Sequence, residues 1–169
     1  MATKVQQPLF IHEFEAPIGT ILLSFNALGL IKISYKDHSL PANQDNSTSP
    51  YLKSTKIALE NFFKAKPYHL DFLDWNICTT FQTKVLKSLS LLHAGETLSY
   101  KDLATQIGQP KSARAVGTCM RLNPWPLLVP CHRIIPSSGG LGNYSLGGPA
   151  IKASLLQMEE KARLKLGQK

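Results

Sequence analysis

The apolar pattern of this chain changes period once, near residue 80, and that change constrains the fold more than any other feature of the sequence. Before it, β-branched and aromatic residues run in short blocks: Leu9 to Phe14, Thr20 to Phe25 and Leu30 to Tyr35. Turn signals at Pro17-Ile18-Gly19 and at Asn26 to Gly29 separate them. Such blocks between Gly, Pro and Asn punctuation predict strands joined as a small antiparallel meander. Beyond residue 80 the apolar residues recur at three- and four-residue spacing, which predicts helices. The 169 residues therefore read as a small N-terminal α/β domain with an antiparallel sheet, residues 1–77, and a C-terminal helical domain, residues 78–169.

Charge changes at the same place. Residues 1–80 carry seven Lys, no Arg and seven acids, whereas residues 81–169 carry eight Lys and four Arg against four acids. The whole net charge of +8, and every arginine, lies in the helical half. A basic half beside a neutral one is the electrostatic footprint of nucleic-acid binding, although a solubilising surface gives the same count. No apolar run approaches the ~18 residues of a membrane span, and the N-terminus has no apolar signal-peptide core. Cys78, Cys119 and Cys131 match neither a disulfide framework nor a zinc knuckle, so the expected setting is a reducing cytoplasm, without metal or other cofactor.

Within the first half, Asp37 to Pro50 reads as a surface loop, Tyr51 to Lys66 as a helix stopped by Pro67, and Tyr68 to Ile77 as a last strand or an extended linker. In the second half, Thr79 or Thr80 caps a helix through Phe81, Val85, Leu86, Leu89 and Leu92 that ends near Gly95. Ser99-Tyr100-Lys101-Asp102 is a capping-box pattern with Asp in the Glu position, opening a helix to Gly108. After Gln109-Pro110, Ser112 caps a third helix, Ala113 to Leu122. Two short helices across a tight break form a helix-turn-helix pattern. The second of them carries Arg114 and Arg121 with the small residues Ala113, Ala115, Gly117 and Thr118, which suits close approach to a nucleic-acid surface or tight helix packing. Pro124-Trp125-Pro126 to Pro130 reads as an extended, stiff run. A Gly/Ser loop from Pro136 to Gly148 then leads to a final helix, from Pro149 to about Lys165, with Ile151, Leu155, Met158 and Ala162 on one face and Glu159 at its edge.

The chemistry centres on Pro130-Cys131-His132-Arg133. The thiolate is the nucleophilic form of cysteine, and a nearby imidazole is a common way to generate it. A Cys-His pair alone is more often structural than reactive. Its neighbours in the sequence change that balance.

Thr79-Thr80-Phe81-Gln82, Ser99-Tyr100, Arg114-Ala115-Val116-Gly117, Asn123-Pro124, Pro130-Cys131-His132-Arg133, Gly142-Asn143-Tyr144-Ser145 and Glu159 follow one another in this order. In that order and spacing the chain closely resembles the O6-alkylguanine-DNA alkyltransferases, also called methylated-DNA–protein-cysteine methyltransferases. The resemblance is dense over about residues 78–160, and covers the first 77 residues only in length and general strand-helix pattern. It implies DNA repair by stoichiometric, irreversible transfer of an alkyl group from guanine O6, with O4-alkylthymine a second candidate substrate, to Cys131. It implies that His132 is the base, acting through a water, that Glu159 orients it, and that Tyr100 protonates or hydrogen-bonds the leaving base. The base must leave the duplex to be reached. Arg114 matches the residue that fills the vacated stack, on a helix held in the minor groove. Asn123 matches a hinge bracing that helix against the cysteine segment, Tyr144 and Ser145 match the loop over the base pocket, and Ser137 is a further expected substrate- or DNA-binding residue. The implied partner is double-stranded DNA containing O6-alkylguanine, met by a monomer with no membrane contact.

The chain departs from the family pattern in one place, with one residue more than usual between Tyr144 and Lys152, around Leu146-Gly147-Gly148-Pro149; the shape of the pocket lid is therefore open. Cys119 reads as a small packing residue. Three other functions compete: a protein that binds the lesion without repairing it, a helix-turn-helix regulator that senses oxidants or alkylators, and a Cys-His hydrolase. The cysteine argues against the first, the lack of an apparent second regulatory domain against the second, and the lack of a sequence signal for an oxyanion hole or an amide cleft against the third.

Overall fold

The computed structural model describes residues 9–36 and 48–167. Most of the loop expected over 37–50 lies outside the described residues. The chain forms two compact units, Met1–Thr79 and Thr80–Lys169.

In the first unit, β1 (Phe10–Ala16), β2 (Gly19–Phe25) and β3 (Leu30–Tyr35) form an antiparallel sheet in the order β1-β2-β3. The register pairs Phe10 with Phe25 across the first hairpin and Ile21 with Tyr35 across the second. The central strand is buried on both faces, with Ile21, Leu22 and Leu23 all inside. Helix α1 (Leu52–Phe63) contributes Thr55, Ala58, Leu59 and Phe62, one stripe at helical spacing.

The turn between β2 and β3 is built by Asn26. Its Oδ1 accepts the amides of Leu28 and Gly29, each at 2.9 Å, while its Nδ2 donates to the buried Asp74 at 2.7 Å. The segment 68–77, expected as a strand or linker, makes only a single parallel bridge, Leu30 to Leu73. It then closes into a short 3-10 turn, Trp75–Ile77. Asp74 causes the break, because its carboxylate accepts both the backbone N–H and the side-chain amide of Asn76, which offers the backbone an alternative to the ladder.

The second unit carries α2 (Thr80–Leu89), β4 (Leu98–Ser99), α3 (Tyr100–Gln106), α4 (Ala113–Arg121), a one-turn 3-10 helix (Cys131–Arg133), β5 (Ile134–Ile135) and α5 (Gly148–Gly167). Its core includes Val85, Leu86, Leu89, Leu103, Val116, Trp125 and Leu155. Helix α2 stops at Leu89, before the expected Gly95. The capping box of α3 forms as expected: Ser99 Oγ accepts from Asp102 N and Asp102 Oδ2 accepts from Ser99 N. Ser112, expected to cap α4, makes no side-chain cap bond; its hydroxyl donates to Gln109 O instead. The run from Pro124 to Pro130 is not extended. It is a buried loop closed by Val129 N to Trp125 O (2.8 Å), with Leu127 at φ 77° and no exposed surface. Asn123 enforces this closure by donating to Val129 O (2.8 Å) and accepting from Trp125 N (3.1 Å). Two short parallel strands tie the parts together, pairing Leu98 with Ile134 and Ser99 with Ile135. No helix among the described residues is long and apolar enough to cross a membrane.

Gly29 has φ +154°, and a Cβ there would lie 2.4 Å from Phe72 O. Gly29→Ala should therefore cost at least about 3 kcal/mol in urea unfolding. Gly19→Ala, which meets only the Tyr35 ring at 3.4 Å, should cost about 1 kcal/mol from its φ of +114°.

Candidate active site

Cys131 opens the 3-10 turn, with its own N–H bonded to Val129 O at 2.8 Å and the Arg133 N–H to Pro130 O at 3.0 Å. A helix of about three residues per turn sends consecutive side chains in different directions, so Cys131, His132 and Arg133 diverge from one compact point. All three are buried.

His132 and Arg133 both reach Glu159 of α5. His132 Nε2 lies 2.8 Å from Glu159 Oε1. Arg133 donates from Nη2 to Oε1 at 2.8 Å and from Nε to Oε2 at 3.0 Å, a fork-like charge-assisted grip. Gly95 N donates to Oε2 at 3.1 Å, and Arg133 Nη1 donates to Leu92 O. Burial alone would raise the Glu159 carboxyl, but the hydrogen bonds and charges of His132 and Arg133 more than offset it and bring the group to about 2. Burial holds His132 below its ordinary value of 6.5, although Glu159 pulls the other way. The site thus contains a neutral imidazole aligned by a permanent carboxylate.

Cys131 forms part of the wall of a cavity of about 310 Å³, within the ~300–1,000 Å³ span of small-molecule sites. Tyr100, Tyr144 and Ser145, all singled out from the sequence, line the same cavity, as do Gly117, Met120 and Arg121 of α4 and Asn143. The Tyr144 ring also meets His132 edge-on, with centroids 6.2 Å apart. Tyr100 is the first residue of α3, carried to the cysteine segment by the β4–β5 pairing. Burial, and then any charge on Cys131, raise its phenol above 10, so it remains a proton donor.

Three of the expected residues lie elsewhere. Asn123 is buried, bonds the backbone around the cysteine, and is not among the residues lining this cavity. Arg114 is exposed on α4, on the face that also presents Thr118 and Arg121. Ser137 is exposed in the turn closed by Gly139 N to Pro136 O and is not among the residues lining this cavity. Around the extra residue, the chain turns through Gly147 (φ 86°) and Gly148 (φ 77°) with Leu146 buried. Cys119 is buried, and burial raises its thiol.

Sequence reasoning missed two functional candidates. One is Arg133, part of the motif but given no task. The other is Lys152. The apolar face expected for α5 is only half-buried at Ile151, Met158 and Ala162. The buried stripe is Lys152, Leu155 and Glu159, with Lys152 at 1% exposure and Nζ 2.6 Å from Ile134 O. Its signal was present as a spacing of seven from Glu159, two helical turns along one face. Among the described residues no group of three or more His, Cys, Asp or Glu could hold a metal ion.

The model of the 6-O-methylguanine DNA methyltransferase DNA binding domain matches residues 80–161. A methylated-DNA–protein-cysteine methyltransferase of Methanosarcina barkeri is 37% identical over 156 residues, 90% of this chain and 98% of that one. The chain belongs to the methylated-DNA–protein-cysteine methyltransferase family. The mouse methyltransferase is 52% identical over 81 residues, which span 47% of this chain and 38% of its own length. The crystal structure of the Mycobacterium tuberculosis O6-methylguanine methyltransferase superposes with a TM-score of 0.72 at 31% identity, covering 90% of this chain and 93% of that one. A structure of Mycobacterium tuberculosis OGT in complex with DNA gives 0.71 at 31% identity, covering 91% and 94%. Both the small antiparallel sheet and the helix-turn-helix unit fit a methyltransferase of this family.

The buried pair sets the methyltransferase's acid stability. His132 is depressed below 6.5, so the unfolded chain takes up that proton first and stability falls as pH drops below 6.5. Glu159, at about 2 instead of 4.5, stabilises fully above 4.5 and loses that contribution as pH falls toward 2. Urea unfolding over a pH series should show both declines. Glu159→Gln should abolish the lower one and cost about 3–5 kcal/mol at neutral pH, because Arg133 is left buried without its anion.

Proposed function

We propose that this methyltransferase repairs duplex DNA by moving an alkyl group from guanine O6 onto Cys131, once per molecule. The observation that carries this reading is one cavity holding both Cys131 and Tyr100, with the His132–Glu159–Arg133 network behind the cysteine. His132, held through Nε2 by Glu159, accepts the thiol proton at its other nitrogen through a water. The sulfur attacks the alkyl carbon, so that an S–C bond forms, the C–O6 bond breaks, and the bonding pair stays with guanine. Tyr100 donates its proton to the ring as charge develops, and the proton released by Cys131 replaces it. Thiol and O6-alkylguanine thus become thioether and guanine. A thioether is not readily hydrolysed, so the acceptor is spent.

Guanine O6 is inaccessible inside a duplex, and the base must be flipped into the cavity. The exposed face of α4, with Arg114, Ala115 and Thr118, supports a minor-groove contact in which Arg114 fills the gap in the stack. Asn123 braces the cysteine loop, while Tyr144 and Ser145 close over the base. The net charge of +8 supports salt-sensitive, largely sequence-independent affinity for DNA. The same proposal has the protein act as a monomer, in a reducing compartment such as the cytoplasm that keeps Cys131 a thiol. Lesion binding without transfer would leave the proton-relay arrangement behind Cys131 without a purpose.

Incubation with an oligonucleotide carrying O6-methylguanine, followed by peptide mass spectrometry, should give one methyl group per protein on Cys131 and restored guanine. Label on Cys78 or Cys119, or repeated turnover, defeats this reading. Arg114→Ala should slow repair of duplex more than transfer from the free base, whereas Tyr100→Phe should slow both by about a hundredfold or more.

A further inference from the structure

We propose that Gly95 is a positioning residue for His132: its left-handed backbone turns an N–H rather than a carbonyl toward Glu159, and so fixes the carboxylate that aligns the imidazole. This rests on the reading of His132 as the proton acceptor and concerns what holds its partner in place.

His93 to Glu96 form a four-residue turn, closed by Glu96 N to His93 O at 3.1 Å and braced by Glu96 Oε2, which accepts the His93 N–H at 2.8 Å. Its third residue, Gly95, has φ 83°, and Ala94 is not among the residues of positive φ. That combination of signs makes the turn type II. Types I and II differ by a half-rotation of the peptide plane between the two central residues. Here that plane carries the Ala94 carbonyl and the Gly95 N–H. In the observed turn the N–H faces Glu159 and donates to Oε2 at 3.1 Å. In a type I turn, which suits ordinary L-residues, the same plane would present the Ala94 oxygen to a carboxylate. Glycine at this place therefore decides the sign of the dipole that faces a buried anion.

The donor secures orientation. The terminal torsion of a glutamate is broad, so the side chain alone does not set the carboxylate plane. His132 and Arg133 sit side by side in the cysteine turn, and a carboxylate held by them alone would follow that turn wherever it moved. Gly95 attaches it to a different segment, and Leu92 O, accepting from Arg133 Nη1, ties the guanidinium to the same one. That segment leads through β4 to Tyr100, so the acid that orients the imidazole and the phenol in the cavity wall share one frame. The charged and titratable groups around the ring are Glu159 and Lys152 of α5, Arg133 and Cys131 of its own turn, and Tyr144, whose ring meets it edge-on. Of these, the Gly95 N–H touches Glu159. A donor on Oε2 draws charge away from Oε1, so its loss strengthens the hold of Glu159 on a ring proton and lets His132 titrate higher.

The test compares Gly95→Ala with Gly95→Asn in the full chain. Both put a Cβ 2.9 Å from Arg163 Cδ, on a long side chain that can swing aside, so that contact is common to the two. Asparagine tolerates a positive φ far better than alanine. The His132 ring, followed by NMR without DNA over a pH series, should titrate about half a unit or more higher in the Ala variant, with the Asn variant closer to wild type. Single-turnover transfer from an oligonucleotide carrying O6-methylguanine, at saturating DNA, should slow about tenfold or more in the Ala variant while the Kd for DNA is unchanged. A wild-type titration in the Ala variant overturns the proposal, as does an equal shift in both variants, which would assign the effect to the Arg163 contact. A second measurement needs no substitution. A scalar coupling across the hydrogen bond, between the Gly95 nitrogen and the Glu159 carboxylate carbon, should be present in the wild-type protein; its absence overturns the proposal. If the NMR results hold while no methyl group reaches Cys131, the repair reading fails and the hold of the turn on the imidazole stands.

Discussion

A single carboxylate, that of Glu159, accepts hydrogen bonds from two separate parts of the chain: His132 and Arg133 in the cysteine turn, and the backbone of Gly95 in the segment after α2. At 1% exposure it has no water to fall back on, so all of these donors must be present together. The arrangement ties α5 to the 3-10 turn and to the 90–97 segment, and it decides which ring nitrogen of His132 faces the carboxylate. Arg133 makes a permanent anion tolerable there. Without the guanidinium, a buried carboxylate beside an imidazole would draw a proton onto the ring and leave no neutral imidazole.

The backbone around the site is shaped by side chains that do no chemistry. Asn123 folds seven residues into a closed loop by bonding at both ends of it, and so fixes where Pro130 delivers the cysteine. Ser99 and Asp102 start α3 at Tyr100, while the pairing of Leu98 with Ile134 brings that start beside the cysteine turn. Leu127 holds a left-handed backbone that costs about 1–3 kcal/mol in a non-glycine residue, offset here by complete burial. The precision of the site therefore rests on local hydrogen bonds that span from two to six residues, backed by one long-range ion network.

What could be read from the residues follows from the range of the interaction. The hairpins, the capping box of α3 and the helix-turn-helix were legible because turn chemistry, capping and apolar period are local. The cavity was legible at Cys131, Tyr100, Tyr144 and Ser145 only through resemblance, since nothing in their spacing says that they meet. The loop from Pro124 to Pro130 was misread as extended because its prolines suggest extension, while the Asn123 bonds that close it leave no periodic mark. Of the two readings of segment 68–77, the strand is reduced to one bridge because Asp74 diverts the backbone away from the sheet. Lys152 was invisible for the opposite reason. Periodicity arguments turn lysines outward by default, and only a partner inside the protein reverses that.

The burial of Cys131 also bears on the protein between encounters with DNA. In the proposed reaction Cys131 serves only once, so oxidation would spend it as surely as repair. Peroxides, disulfides and free alkylating agents react with exposed thiolates, and a thiol raised to about 11 at 5% exposure presents little of either to them. On that reading the enclosure that makes the sulfur hard to ionise also shields it, and leaves it to an electrophile delivered into the cavity.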